Sequence, residues 1–158
     1  MPSVPEPRFD ELYRELILDH YRNPRNRAPL EHPDVVAEGY NPLCGDEVTL
    51  QLKFDDDRVA EVSFHGHGCS ISQSSGSMMS EAIKGRSVED IRRLSQKFKA
   101  MVTNPDAEPD PELGDLEALH GVARFAVRVK CATLPWHTLE DGLARRRNGV
   151  THVTHEET

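Results

Sequence analysis

The sequence predicts an α+β fold: a small antiparallel β-sheet of about three strands, packed with helices. Three observations predict it. Residues 48–64 alternate apolar and polar side chains through two runs joined by a charged turn. Helix-spaced apolar residues lie on both sides of that pair. The chain has 158 residues, the size of one domain. At that size a core of useful extent forms without disulfides.

The first nine residues carry three prolines and are expected to be a flexible segment, with one domain over 10–147 and a flexible tail over 148–158. From Asp10, the residues Leu12, Tyr13, Leu16, Ile17, His20 and Tyr21 recur at helical spacing. Asn23-Pro24 stops this helix, because a residue before proline avoids the α region. A short strand over Val35 to Tyr40 is expected to pair beside the hairpin. In that hairpin Val48, Leu50, Leu52 and Phe54 share one face, and Ala60, Val62 and Phe64 continue it after the turn at Asp55 to Asp57.

The period returns to helical after Gly68, with Ile71, Met78, Met79, Ala82 and Ile83 as the apolar stripe and Gly85 as the stop. The serines between Ser70 and Ser80 are read as small side chains that let this helix pack closely on the sheet. Ser87 with Asp90 three residues on caps the next helix, whose inner face is Ile91, Leu94, Phe98 and Met101. Thr103 to Asp115 reads as a surface loop, followed by a short helical piece over Leu116 to His120. A last helix is expected from about Ala132 to Arg147, with Pro135 tolerated in its first turn, Arg145 to Arg147 suiting its C-terminal end and Gly149 closing it.

Lys plus Arg is 19 and Asp plus Glu is 27, a net charge of −8. That balance argues against a nucleic-acid partner, which dense Lys and Arg would serve. No apolar run approaches the roughly 18 residues of a membrane helix. Met1 to Pro7 lacks the order of a signal peptide, so the expected compartment is the cytoplasm.

There the three cysteines, Cys44, Cys69 and Cys131, are not expected to form a disulfide framework. Each lies at a segment boundary. Cys44 enters a strand, Cys69 follows the end of one, and Cys131 is placed just before the last helix. All three can share one end of the sheet, with two of them at helix N-termini that favour thiolate. Free cysteine is often only a small buried hydrophobe, but the Gly and Pro neighbours of these loops suit exposure and bending. Three thiolates leave tetrahedral zinc one ligand short. Asp46, two residues after Cys44 with Gly45 between them, is the best candidate; His65 and His67 compete.

Four segments then carry a family resemblance: Asp19-His-Tyr-Arg-Asn-Pro-Arg-Asn26, Asn41-Pro-Leu-Cys-Gly-Asp46, Gly66-His-Gly-Cys-Ser-Ile-Ser72 and Val127-Arg-Val-Lys-Cys-Ala-Thr-Leu134. Together and in this order they resemble the SufU group of the IscU/NifU N-terminal family of iron–sulfur assembly proteins. The resemblance implies an α+β fold and one metal site at Cys44, Asp46, Cys69 and Cys131. Lys130, where IscU-like chains usually have histidine, and the extra segment 103–120 both point to the SufU-like branch.

That branch implies a zinc-dependent sulfurtransferase or sulfur carrier, partnered by a SufS-like cysteine desulfurase and, downstream, by a cluster-assembly scaffold. Cys44, on a Pro/Gly loop that can swing, is the expected acceptor of persulfide sulfur. Arg128 and Lys130 are read either as steadying an anionic persulfide or touching the partner, or as plain surface charge. The rival reading is a scaffold that builds a 2Fe–2S cluster on the same four residues. A structural zinc site in an interaction module is a third. H-E-x-x-H and deaminase signatures are absent, which disfavours a metallohydrolase.

Overall fold

The computed structural model describes residues 11–146 and 151–157. The expected flexible segment 1–9, and Arg147 and Gly149 at the end of the last helix, lie outside them. In chain order the fold runs α1 (Glu11–Arg22), β1 (Val35–Asn41), β2 (Asp46–Asp55), β3 (Arg58–His67), α2 (Ser70–Ile83), α3 (Val88–Thr103), a 3-10 segment (Pro111–Arg124), α4 (Ala126–Arg146) and β4 (His152–Glu156). The class is α+β, as expected. Among the described residues no helix is long and apolar enough to cross a membrane.

The sheet has four strands in the order β3-β2-β1-β4 rather than three. The expected antiparallel part is present, β1 on β2 and β2 on β3. The addition is β4, which pairs parallel to β1 with Ala37 opposite Val153. The tail expected to be loose therefore closes the open edge of β1, and Val153 enters the core.

The hairpin holds one further correction. Ala60 was expected on the apolar face, but a register shift leaves it exposed and buries Val59 opposite Phe54. A β-bulge of this kind reverses the alternation on one strand. Val48, Leu50, Leu52, Val62 and Phe64 do line the core as their spacing requires.

The serine-rich α2 packs as its small side chains suggest. A Cβ on Gly76 would lie 1.9 Å from the Phe64 ring, so the helix backbone rests on that aromatic. The serines also tie neighbouring elements to α2. Ser77 Oγ accepts from the Arg25 backbone N–H at 2.9 Å and lies 2.8 Å from His20 Nδ1. Ser80 Oγ accepts from Asn26, and Ser75 donates to the Ala132 carbonyl at 2.7 Å. The Asp19-to-Asn26 motif is thus a fastening: Arg25 pairs with Asp19 at 2.6 Å, and the Asn26 carbonyl accepts from Phe64 N–H. Ser87 caps α3 by accepting from Asp90 N–H, as expected.

The segment expected to be a loop to Asp115 is shorter and better anchored. α3 continues to Thr103, and only 104–110 separates it from the 3-10 segment. Leu113, Leu116, Leu119 and Val122 are all buried. Their spacing of three matches the three-residue turn of a 3-10 helix better than an α-helix. Glu112 holds this segment to α3 through Arg93 at 2.7 Å and Lys97 at 2.9 Å. Those two cations pull its carboxyl down to about 2.

The last helix starts earlier than expected, at Ala126 instead of about Ala132. Pro135 consequently lies in its interior, not its first turn. A proline there cannot donate to the carbonyl four residues back, which is that of Cys131. Packing outweighs the lost bond: Trp136 stacks on Phe98 with ring centroids 4.7 Å apart, and Leu134 and Leu139 are fully buried.

Candidate metal centre

Three chain segments meet at one end of the sheet. Cys44 sits in the tight turn between β1 and β2. Asn41 shapes that turn, accepting from Leu43 N–H on its side chain at 3.1 Å and from Gly45 N–H on its carbonyl at 2.9 Å. Gly45 takes the left-handed backbone (φ 70°) that lets Asp46 turn back into β2. Asp46 is fully buried, whereas Cys44 is half-buried.

Cys69 is the N-cap of α2 and accepts from Ser72 N–H at 3.5 Å. Cys131 is buried in α4. The expectation that it precedes a helix is corrected: it is the sixth residue of α4, so the N-terminal dipole that serves Cys69 does not serve Cys131 in the same way.

Cys44 Sγ lies 3.3 Å from Cys131 Sγ, far beyond a disulfide bond, and both thiols are free. One Asp46 oxygen accepts from Cys69 N–H at 2.8 Å, and the other lies 3.7 Å from Cys69 Sγ. Ligand atoms of Cys44, Asp46 and Cys131 fall within 4.8 Å of one another. Cys69 joins this group through Asp46. Three of the expected residues thus form one group, and Cys69 lies beside it against Asp46.

The competing histidines do not join them. His65 is exposed, and His67 pairs with Glu47 at 2.7 Å on the exposed end of β3. Lys130 is exposed, but Arg128 is buried, so plain surface charge does not describe it.

The two inner thiols differ in how they hold their protons. A hydrogen bond with Cys131 and another from Ser72 N–H outweigh burial and hold Cys69 down at about 7. The same Cys69 contact, together with burial, pushes Cys131 strongly up. Three soft sulfurs and one carboxylate, two of the four residues buried and two half-buried, are a donor set suited to zinc or to an iron–sulfur cluster.

Gly68, directly before Cys69, supports the placement of Asp46. A Cβ there would lie 2.3 Å from Asp46 Oδ1, and its φ is +146°. Gly68→Ala is expected to push Asp46 off the Cys69 amide. Metal affinity should fall by about 10- to 100-fold, the usual cost of disturbing a ligand's support. Competition against a chromogenic chelator reads this directly; unchanged affinity would show that Asp46 placement is not limiting.

The model of the NifU-like N terminal domain matches residues 12–132. The chain belongs to that family. Within it, the chain is 46% identical over 141 residues to the zinc-dependent sulfurtransferase SufU of Bacillus subtilis, covering 89% of this chain and 95% of the relative. It is 37% identical over 147 residues to the iron–sulfur cluster assembly scaffold protein IscU of Streptococcus pyogenes, covering 93% and 91%.

Among solved structures, a putative iron–sulfur cluster assembly scaffold protein for the SUF system from Fervidobacterium islandicum superposes with a TM-score of 0.76 at 36% identity, covering 82% of this chain and 94% of that one. A NifU-like N-terminal structure from Brucella abortus, at 23% identity and a TM-score of 0.79, covers 89% and 98% and shares the fold. The NifU-like family match spans all four residues of the centre, while β4 lies beyond it.

Proposed function

We propose that this chain is a zinc-binding sulfur carrier in iron–sulfur cluster assembly, and that Cys44 accepts sulfane sulfur from a cysteine desulfurase. The observation that carries this reading is the inequality of the three thiols. Cys69 is fixed at a helix cap and Cys131 is buried in a helix, but Cys44 is half-buried on a four-residue turn. Leu43 beside it is 60% exposed, an apolar side chain set where a partner would approach. The likeness to the zinc-dependent SufU of Bacillus subtilis supports the same reading.

Cys44, Asp46, Cys69 and Cys131 would hold the zinc, whose chemistry is to keep thiolates deprotonated without taking part in redox change. The Cys44 thiolate attacks the outer sulfur of the desulfurase persulfide. A new S–S bond forms on Cys44, the S–S bond of the desulfurase breaks, and its cysteine leaves as thiolate. No oxidant is consumed, since the sulfane sulfur only changes carrier. Asp46 stays on the Cys69 amide throughout and keeps the rest of the site in place.

A second reading, a scaffold for a 2Fe–2S cluster, is supported by the relative named IscU and by the same donor set. Protein purified without air separates the two. The carrier reading expects near-equimolar zinc at the cysteine centre, no colour, and faster desulfurase turnover with cysteine. A stable brown cluster, with no stimulation by the zinc form, would overturn it in favour of the scaffold.

A further inference from the structure

A second group of ligating atoms lies where β4 meets α4. It is independent of the cysteine centre and uses none of its residues. His137 stands on α4, six residues beyond Cys131, or about 9 Å along the helix axis. Its Nδ1 is 2.7 Å from one Glu157 oxygen and 3.0 Å from the other. His155 comes from β4, and its Nε2 lies 2.8 Å from the same first oxygen. Ligand atoms of His137, His155 and Glu157 fall within 4.8 Å of one another.

The supporting contacts are also present. His155 Nδ1 lies 2.9 Å from an Asp141 oxygen. A histidine whose second ring nitrogen is held by a carboxylate is the usual arrangement behind a metal-bound imidazole, because it fixes the ring and raises its basicity. Thr133 donates to the second Glu157 oxygen at 2.6 Å, which leaves the first for a cation. Glu157 is only 5% exposed, while both imidazoles are partly exposed, so the group is rooted in the fold and open on one side.

His155 faces a carboxylate with each ring nitrogen. A divalent cation on the Glu157 side would leave the Asp141 bond intact. Two imidazoles and a carboxylate, with a position open to water, form a donor set that zinc accepts.

We propose that His137, His155 and Glu157 form a second divalent-cation site, of the kind that takes Zn2+, which fastens β4 to α4. Its occupancy also steadies Thr133, two residues from Cys131 on the same helix.

The test is titration of the full chain, stripped of metal and kept reduced, with Zn2+ against a chromogenic chelator. The wild type should take up two equivalents. The double variant His137→Ala/His155→Ala should take up one. Asp141→Ala removes only the outer carboxylate of a half-exposed side chain, so it keeps the fold while weakening the second equivalent about 10- to 100-fold.

Cobalt distinguishes the two sites in the same proteins. Sulfur-to-cobalt charge-transfer absorption should saturate with one equivalent in the wild type and persist in the double variant. The second equivalent should add only the weaker visible absorption of nitrogen and oxygen ligation. Saturation of the wild type at one equivalent would overturn the proposal. So would a second equivalent that survives the loss of both histidines.

Discussion

Cys44→Ala is expected to abolish sulfur acceptance while leaving the fold and the desulfurase contact in place. The turn that carries Cys44 is held by Asn41 and Gly45 through bonds that involve no atom of the Cys44 side chain. Removing the thiol therefore costs little structure, and three other ligands remain. What is lost is the nucleophile. Neither remaining sulfur replaces it easily: Cys131 is fully buried, and Cys69 is bound to the Ser72 amide and beside Asp46. Stimulation of desulfurase turnover should drop to background, and mass spectrometry should find no added sulfur on the variant. Binding to the desulfurase should stay within a few-fold of wild type. Undiminished stimulation would assign the acceptor role to another cysteine and remove the mechanism.

What could be read from the sequence was local. Cys44 and Asp46 are two residues apart across a glycine, and Cys69 follows a glycine at a change of period, so candidate ligands are visible locally, while the family resemblance joins them with Cys131. The face shared by Val48, Leu50 and Leu52 is equally local. The misses required distant partners. Ala60 alternates correctly by itself, and only pairing with β2 reveals the bulge that turns it outward. In β4 the one strong apolar residue is Val153, so the strand is placed by distant partners, the open edge of β1 and the polar side chains of α4.

Pro135 misled for a related reason. Proline in a helix interior costs about 3 kcal/mol, which favours placing it in a first turn. Burial of Leu134, Trp136 and Leu139 around it outweighs that cost, and no rule of sequence spacing weighs the two together. Starting α4 at Ala126 moved Cys131 from a cap into a buried helical position. Cys131 still lies against Cys44 because the early turns of α4 start at the same end of the sheet.

That burial makes Cys131→Ser the substitution with the largest expected effect on the metal. Serine is close in size, so the packing of α4 is little changed. Its hydroxyl, however, stays protonated near neutral pH and is a harder ligand than thiolate. Zinc retained through purification should fall to a small fraction of one equivalent at the cysteine centre. Because a cation that binds only the folded chain adds folding energy, the loss is also thermal. At free metal about 1,000 times the dissociation constant the contribution is about 4 kcal/mol. For a domain of this size that corresponds to roughly 8–16 °C in Tm, at about 2–4 °C per kcal/mol. In the His137→Ala/His155→Ala background chelation should produce the same shift, and with Cys131→Ser added much less of it.

Cys69→Ser is the informative partner. Serine is a good N-cap, so α2 should keep its start while the site loses a sulfur. Its zinc should fall as in Cys131→Ser, but the Tm of the metal-free protein should match that of metal-free wild type. Full zinc retention by both variants in the His137→Ala/His155→Ala background would mean that the two sulfurs are packing residues after all, and that the cation is held by other ligands.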